Sequence, residues 1–115
     1  MATDCLFCRI VAGTIPSTKV HEDDLVLAIR DIAPQAPTHI LIMPKAHIAS
    51  ALDLTDADCA VVGRIFAVAA DLARSEGIAD AGYRLVSNVG AWGGQSVDHL
   101  HVHLMGGRPF SWPPG

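Results

Sequence analysis

Asp98-His99-Leu100-His101-Val102-His103-Leu104-Met105 is the stretch from which the rest of the chain is read. Three of the six histidines stand here at every second position, with Leu100 and Val102 between them and Leu104 after them. Strict alternation has the period of a β-strand, not of a helix. A strand sends His99, His101 and His103 to one face and Leu100, Val102 and Leu104 to the other, against a core. Val, Ile or Thr would fill a half-buried strand better than imidazole, so packing does not account for three of them. The residue type points to metal ligation or to imidazole catalysis.

Composition frames that strand. The 115 residues are 50% hydrophobic and 17% charged, which suits one compact domain over residues 1–115 with a real core. Eight basic residues against twelve acidic ones give a net charge of -4, and no Lys/Arg run occurs. That balance argues against a nucleic-acid-binding or membrane-surface protein and leaves free nucleotides open as ligands. Met1-Ala2-Thr3-Asp4 lacks the basic-then-apolar layout of a signal peptide, no apolar run approaches a membrane span, and the expected location is the cytoplasm. Three cysteines, an odd number, fit reduced thiols or a metal site better than a disulfide framework.

In chain order, Cys5-Leu6-Phe7-Cys8 places two thiols three positions apart at the start of a short helix, half of a tetrahedral zinc site. Two buried small hydrophobes are the second reading, and a redox pair, which normally follows a strand, is the third. Lys19–Glu22 and residues 25–32 read as a hairpin turning through Glu22-Asp23-Asp24. Pro34 and Pro37 mark a crossing loop, and His39-Ile40-Leu41-Ile42-Met43-Pro44 a central strand that Pro44 ends. Thr55-Asp56-Ala57-Asp58 is a capping pattern opening a long helix towards Gly77, with an apolar stripe at 61, 62, 65, 66, 69, 72 and 73. Cys59 reads as a small buried residue. Residues 83–88 form the next strand, and the glycine-rich run from Asn88 to Ser96 returns the chain to the histidines. Glycines there let backbone approach a ligand, with Asn88, Gln95 and Ser96 adding hydrogen-bonding groups, so the run is expected to contact phosphate. Phe110 and Trp112 in the proline-rich tail, residues 105–115, would leave apolar area in water unless they dock, which suggests a dimer partner. The element order gives an α+β domain: a mostly antiparallel sheet of about five strands, one long helix and a short N-terminal one.

With these residues in view, His99-Leu100-His101-Val102-His103-Leu104-Met105 resembles the signature of the histidine triad (HIT) superfamily. Gly93-Gly94-Gln95-Ser96-Val97, Gly106-Gly107-Arg108, Trp112-Pro113-Pro114-Gly115 and the run from Asp31 to His39 resemble its Hint branch, the purine nucleoside phosphoramidases, so the likeness spans essentially the whole chain. The resemblance implies a homodimer whose sheets join side by side, and a hydrolase acting on AMP or GMP linked to an amine, with no organic cofactor. His101 matches the nucleophile; neutral imidazole can attack phosphorus at neutral pH, giving a nucleotidylated histidine that water hydrolyses. The other ring nitrogen must keep its proton, by resemblance through the carbonyl of His99. Asn88, Gly94, Ser96 and His103 match phosphate-contacting positions, Asn88 or Ser96 also being placed to protonate the leaving amine, and His39 supports the triad from the neighbouring strand. Phe7, Ile10, Ile29 and Ile32 match the apolar base pocket, and Asp31 the carboxylate that accepts both ribose hydroxyls. The pair Cys5 and Cys8 is absent from animal Hint proteins but resembles that of bacterial relatives and of galactose-1-phosphate uridylyltransferases, which implies structural zinc on Cys5, Cys8, His47 and His99. Asp98 departs from the pattern, standing where an aromatic residue is common; a carboxylate there could raise the imidazole pKa values. Dinucleoside polyphosphate hydrolysis of the Fhit type is the rival reaction, disfavoured by the Trp-Pro-Pro-Gly tail, and a nucleotide-binding scaffold with vestigial catalysis is the rival class.

Overall fold

The segment β3 (Thr38–Pro44) is buried along its whole length, as its nearly continuous apolar run requires, and the sheet is assembled around it. The computed structural model describes residues 4–115; Met1, Ala2 and Thr3, on which the signal-peptide reading partly rests, lie outside the described residues. Five strands, β1 (Lys19–Glu22), β2 (Val26–Arg30), β3, β4 (Tyr83–Val86) and β5 (Val102–Gly106), form one sheet in the order β1-β2-β3-β5-β4 with every pair antiparallel. The helices are α1 (Leu6–Ala12) and the longer α2 (Cys59–Ser75). No helix among the described residues is long and apolar enough to cross a membrane.

Alternation divides the strand side chains between two cores. Val26 and Ala28, Ile40 and Ile42, and Val102 and Leu104 pack with Ile65, Val68, Ala69, Leu72 and Ala73 of α2. Leu27 and Ile29, with Leu41 and Met43, face the other way and meet Phe7 and Ile10 of α1. His39 and His103 share the parity of this second face, and α1, only seven residues long, covers only part of it. The histidines thus stand beside α1 because the α2 face is filled with aliphatic side chains.

The turn between β1 and β2 is built by Asp23, whose Oδ1 accepts the N–H groups of Leu25 and Val26 at 2.8 and 2.9 Å. His21, 2.7 Å away, and Arg64 bind its other oxygen, and together these bonds hold the carboxyl well below the usual carboxylate range, with His21 the largest cause. At the start of α2, the Thr55–Asp58 capping box is present, preceding the α-helix by a single 3-10 turn at Asp56–Asp58.

Several boundaries differ from the sequence reading. Strand β5 begins at Val102, not before His99. The ladder pairs Ile42 with Val102, so its next step would pair Pro44 with Leu100; Pro44 has no N–H to give, and the chain bends there instead. Strand β2 stops at Arg30, and Asp31 turns the chain by accepting the N–H of Ala33 at 2.8 Å, which leaves Ile32 fully exposed. Strand β4 ends at Val86 rather than 88. Cys59 is exposed, not buried: as the first residue of α2 it lies outside the stripe that faces the sheet. Phe66 is also 49% exposed, whereas Val68, omitted from the predicted stripe, is fully buried near its centre. In the tail, the guanidinium groups of Arg84 and Arg108 lie over the Phe110 ring at 5.0 and 4.2 Å, while Trp112 is exposed.

Leu104 links β5 to α2 with no exposed surface. Leu104→Ala should lower unfolding free energy by about 2–5 kcal/mol, measured by urea denaturation, whereas Phe66→Ala on the outer flank of α2 should move the midpoint far less.

Candidate active site and metal-ligand cluster

Each histidine of the cluster has its ring fixed by a partner that decides which nitrogen carries the proton. The Nε2–H of His99, wholly buried, donates to the carbonyl of Pro44 at 2.8 Å, so its Nδ1 lone pair is free. That Nδ1 lies 3.3 Å from the sulfur of Cys5 and 3.5 Å from that of Cys8. The Nδ1–H of His101 donates to the carbonyl of His99 at 2.7 Å, which leaves its Nε2 unprotonated. Phe7 sets its ring edge-on to His101, 5.0 Å between centroids, and fixes the plane of the imidazole.

His39 and His103 form a chain. The backbone N–H of Gln35 donates to Nδ1 of His39 at 3.0 Å, which puts the proton of the neutral ring on Nε2. Nε2–H then donates to Nδ1 of His103 at 2.9 Å, so His103 turns an Nε2–H donor away from His39. Burial, then the neighbouring His101 and His39, push the pKa of His103 down to about 4, partly opposed by Asp31. Burial likewise lowers His39 and His99. The oxygen of Asp31 lies 3.4 Å from Nε2 of His39, so these three groups could in principle ligate a cation. Their lone pairs do not converge, however, because His39 spends its proton on His103; the group is a hydrogen-bond chain.

Cys5, Cys8, His47 and His99 do converge. Cys5 caps α1, its sulfur accepting the N–H of Cys8 at 3.3 Å, and the helical turn brings the two sulfurs to 3.6 Å. Nδ1 of His47 lies 3.3 Å from the sulfur of Cys8, and all four donor atoms fall within 4.8 Å of one another. A zinc tetrahedron with ordinary bond lengths has edges of about 3.8 Å between sulfurs and about 3.5 Å between sulfur and nitrogen. The observed edges are close to these, and the donor set is one that zinc prefers. Burial and the neighbouring Cys5 raise the Cys8 thiol pKa, so Cys8 favours the protonated thiol unless a cation binds.

The run from Asn88 to Ser96 is a folded turn. Asn88 donates through Nδ2 to the carbonyl of Gly93 at 2.7 Å, and a side chain at Gly93 would start 2.2 Å from the oxygen of Val89, so only glycine fits there. Ser96 is exposed and lines, with Asp98, Cys5 and His47, an open cavity of about 540 Å³. Gln95 is turned inward, away from the ligand role expected of it: its amide bonds only to the chain itself. Phe7, Ile10 and Ile29 pack in one buried cluster, Asp31 stands half-buried beside His39, and Ile32 is isolated in solvent. The roles of the Pro44 carbonyl and the Gln35 amide were absent from the sequence reading, because backbone groups leave no mark in side-chain pattern.

A model of the HIT domain matches residues 12–110, and the chain belongs to that family. A HIT family hydrolase from Legionella pneumophila superposes with a TM-score of 0.95 at 55% identity, covering 96% of this chain and 99% of that one. The purine nucleoside phosphoramidase of Escherichia coli K12 is 50% identical over 110 residues, 96% of this chain and 92% of the relative. A 14 kDa zinc-binding protein of Brassica juncea is 46% identical over 114 residues, 97% of this chain and all of the relative.

Nitrogen-detected NMR of the imidazoles checks this geometry. At neutral pH His39 and His103 should be Nε2–H tautomers and His101 the Nδ1–H tautomer. His103 should titrate at about 4. Between pH 6.5 and about 4 the unfolded chain binds a proton there that the folded one refuses, so this group makes stability fall as pH drops through that window.

Proposed function

We propose that this protein hydrolyses purine nucleoside phosphoramidates, AMP or GMP joined to an amine through a P–N bond. The observation that carries the reading is the 2.7 Å bond from Nδ1–H of His101 to the carbonyl of His99, which presents Nε2 as an unprotonated nucleophile. The names of its relatives, a phosphoramidase and a HIT family hydrolase, support the substrate class.

In this mechanism Nε2 of His101 attacks the α-phosphorus, the P–N bond breaks, and the amine leaves with a proton from the Ser96 hydroxyl, which regains one from the hydrolytic water, while Asn88 donates a hydrogen bond. The ring becomes cationic as it is nucleotidylated, and the His99 carbonyl, still accepting Nδ1–H, stabilises that charge. His103 faces the phosphate oxygens with Nε2–H, held in that state by His39 and Gln35. Asn88, Gly94 and Ser96 contribute donors from the loop. Water then attacks phosphorus on the opposite side to His101, the P–Nε2 bond breaks, and the ring returns neutral as the nucleoside monophosphate departs. Phe7, Ile10, Ile29 and Ile32 receive the base, with Asp31 on the ribose hydroxyls.

Cys5, Cys8, His47 and His99 hold a structural zinc ion, a reading that the donor geometry and the zinc-binding relative support. When bound, the ion supplies a fixed cross-link between α1 and the triad segment. Its ligand His99 carries the carbonyl that orients His101. Residues 1–115 act as one cytoplasmic domain that pairs with a second copy, the free edge of β4 and the tail of residues 105–115 with its exposed Trp112 forming the contact.

Incubation with adenosine phosphoramidate tests the proposal. The parent protein should release AMP, and His101→Ala should lower turnover on the order of a thousandfold or more. No turnover by the parent, with cleavage of a dinucleoside polyphosphate instead, contradicts the substrate class; equal turnover by the variant contradicts the nucleophile.

A further inference from the structure

Gln95 lies in the run proposed above to face the phosphate, yet both N–H groups and the oxygen of its carboxamide are bonded internally. Its Oε1 accepts the N–H of Gly90 at 3.0 Å, and Nε2 donates to the carbonyls of Ala49 at 2.7 Å and Val97 at 3.1 Å. A primary amide has two N–H donors, and both are spent here. The side chain is therefore a clasp joining three segments: the glycine turn, the entry to the triad, and the connector after β3.

The connector is the informative partner. Ala49 is two residues from His47, and the carbonyl of Ile48 between them accepts the N–H of Leu100, the residue after His99, at 2.6 Å. Residues 47–49 thus offer, in succession, a metal-ligand nitrogen, an anchor to the triad segment and an anchor to the phosphate loop. They have no regular secondary structure, so these three attachments, with the Ile48 side chain packed against the α2-side core, define their position. Among them, His47 is exposed and meets the cluster through a 3.3 Å contact with the Cys8 thiol and through its ring, which stands edge-on to that of His99 at 5.1 Å between centroids. Ligation would replace that weak contact with a coordinate bond and fix the connector.

The geometry points to Gln95 as a positioning residue that carries the state of the Cys5/Cys8/His47/His99 cluster to the loop of residues 88–96, so that zinc occupancy orders the phosphate-binding backbone. This coupling rests on the zinc reading above. It acts through the connector, where Nε2 of Gln95 holds Ala49 at 2.7 Å, and through the entry to the triad, where it holds Val97 at 3.1 Å.

Amide hydrogen exchange measured with zinc bound and after chelation tests it, with zinc content followed by elemental analysis. In the parent protein, chelation should speed exchange of the amides of residues 90–97 about tenfold while those of β3 keep their protection. Gln95→Glu keeps an acceptor for Gly90 but loses both donors; its loop should exchange at the fast rate with or without zinc, at unchanged zinc content. Gln95→Ala serves if that variant does not fold. Zinc bound and removed with no change in loop exchange overturns the coupling alone, as does a variant loop that still responds to zinc as the parent does. A parent protein that neither contains zinc nor takes it up overturns the zinc reading and the coupling together.

Discussion

Pro44 has no N–H, and the arrangement of the functional face follows from that single lack. The antiparallel ladder between β3 and β5 cannot continue past it, so the chain carrying His99 and His101 leaves the sheet, and the Pro44 carbonyl takes the His99 imidazole as its donor at 2.8 Å. One bond orients two rings. His99 is held with Nδ1 towards the thiols, and its own carbonyl is left where Nδ1–H of His101 reaches it at 2.7 Å. Had the strand paired through residues 98–101, that carbonyl would belong to the ladder, and the ring of His101 would lack its fixed proton.

Burial supplies the rest of the electrostatics. Burial makes His39, His99 and His103 resist protonation, lowering the pKa of each. A neutral chain Gln35 to His39 to His103 then carries no net charge, yet still delivers a directed N–H. Asp31, beside His39, opposes the drop and keeps it from becoming larger. The Nε2–H of His103 is thereby oriented through His39 by the Gln35 backbone amide, which cannot rotate away as a side chain would.

The histidine alternation, the central strand, the capping box at Thr55 and the Cys5-Cys8 pair were all legible from residue type and spacing, because each depends on local periodicity. What escaped depends on three-dimensional neighbours. The start of β5 is set by a proline in another strand. The exposure of Cys59 and Phe66 and the burial of Val68 follow from the rotation of α2 on the sheet, which the apolar stripe bounds only loosely. Ile32 is left in solvent because Asp31 prefers to cap a turn rather than extend β2. Gln95 looked like a ligand-facing polar residue beside glycines, and only its distances to Ala49, Val97 and Gly90 show that it binds the chain instead.

In the proposed mechanism Nε2 of His101 is the atom that bonds to phosphorus. Rapid mixing with an adenosine phosphoramidate, alkaline quenching to preserve a P–N adduct, and peptide mass spectrometry address that atom directly. The prediction is a transient adenylyl group on the peptide containing His101, on no other histidine, and absent from His101→Ala. An adduct on His99 or His103, or AMP release with no adduct at any time point, would contradict it.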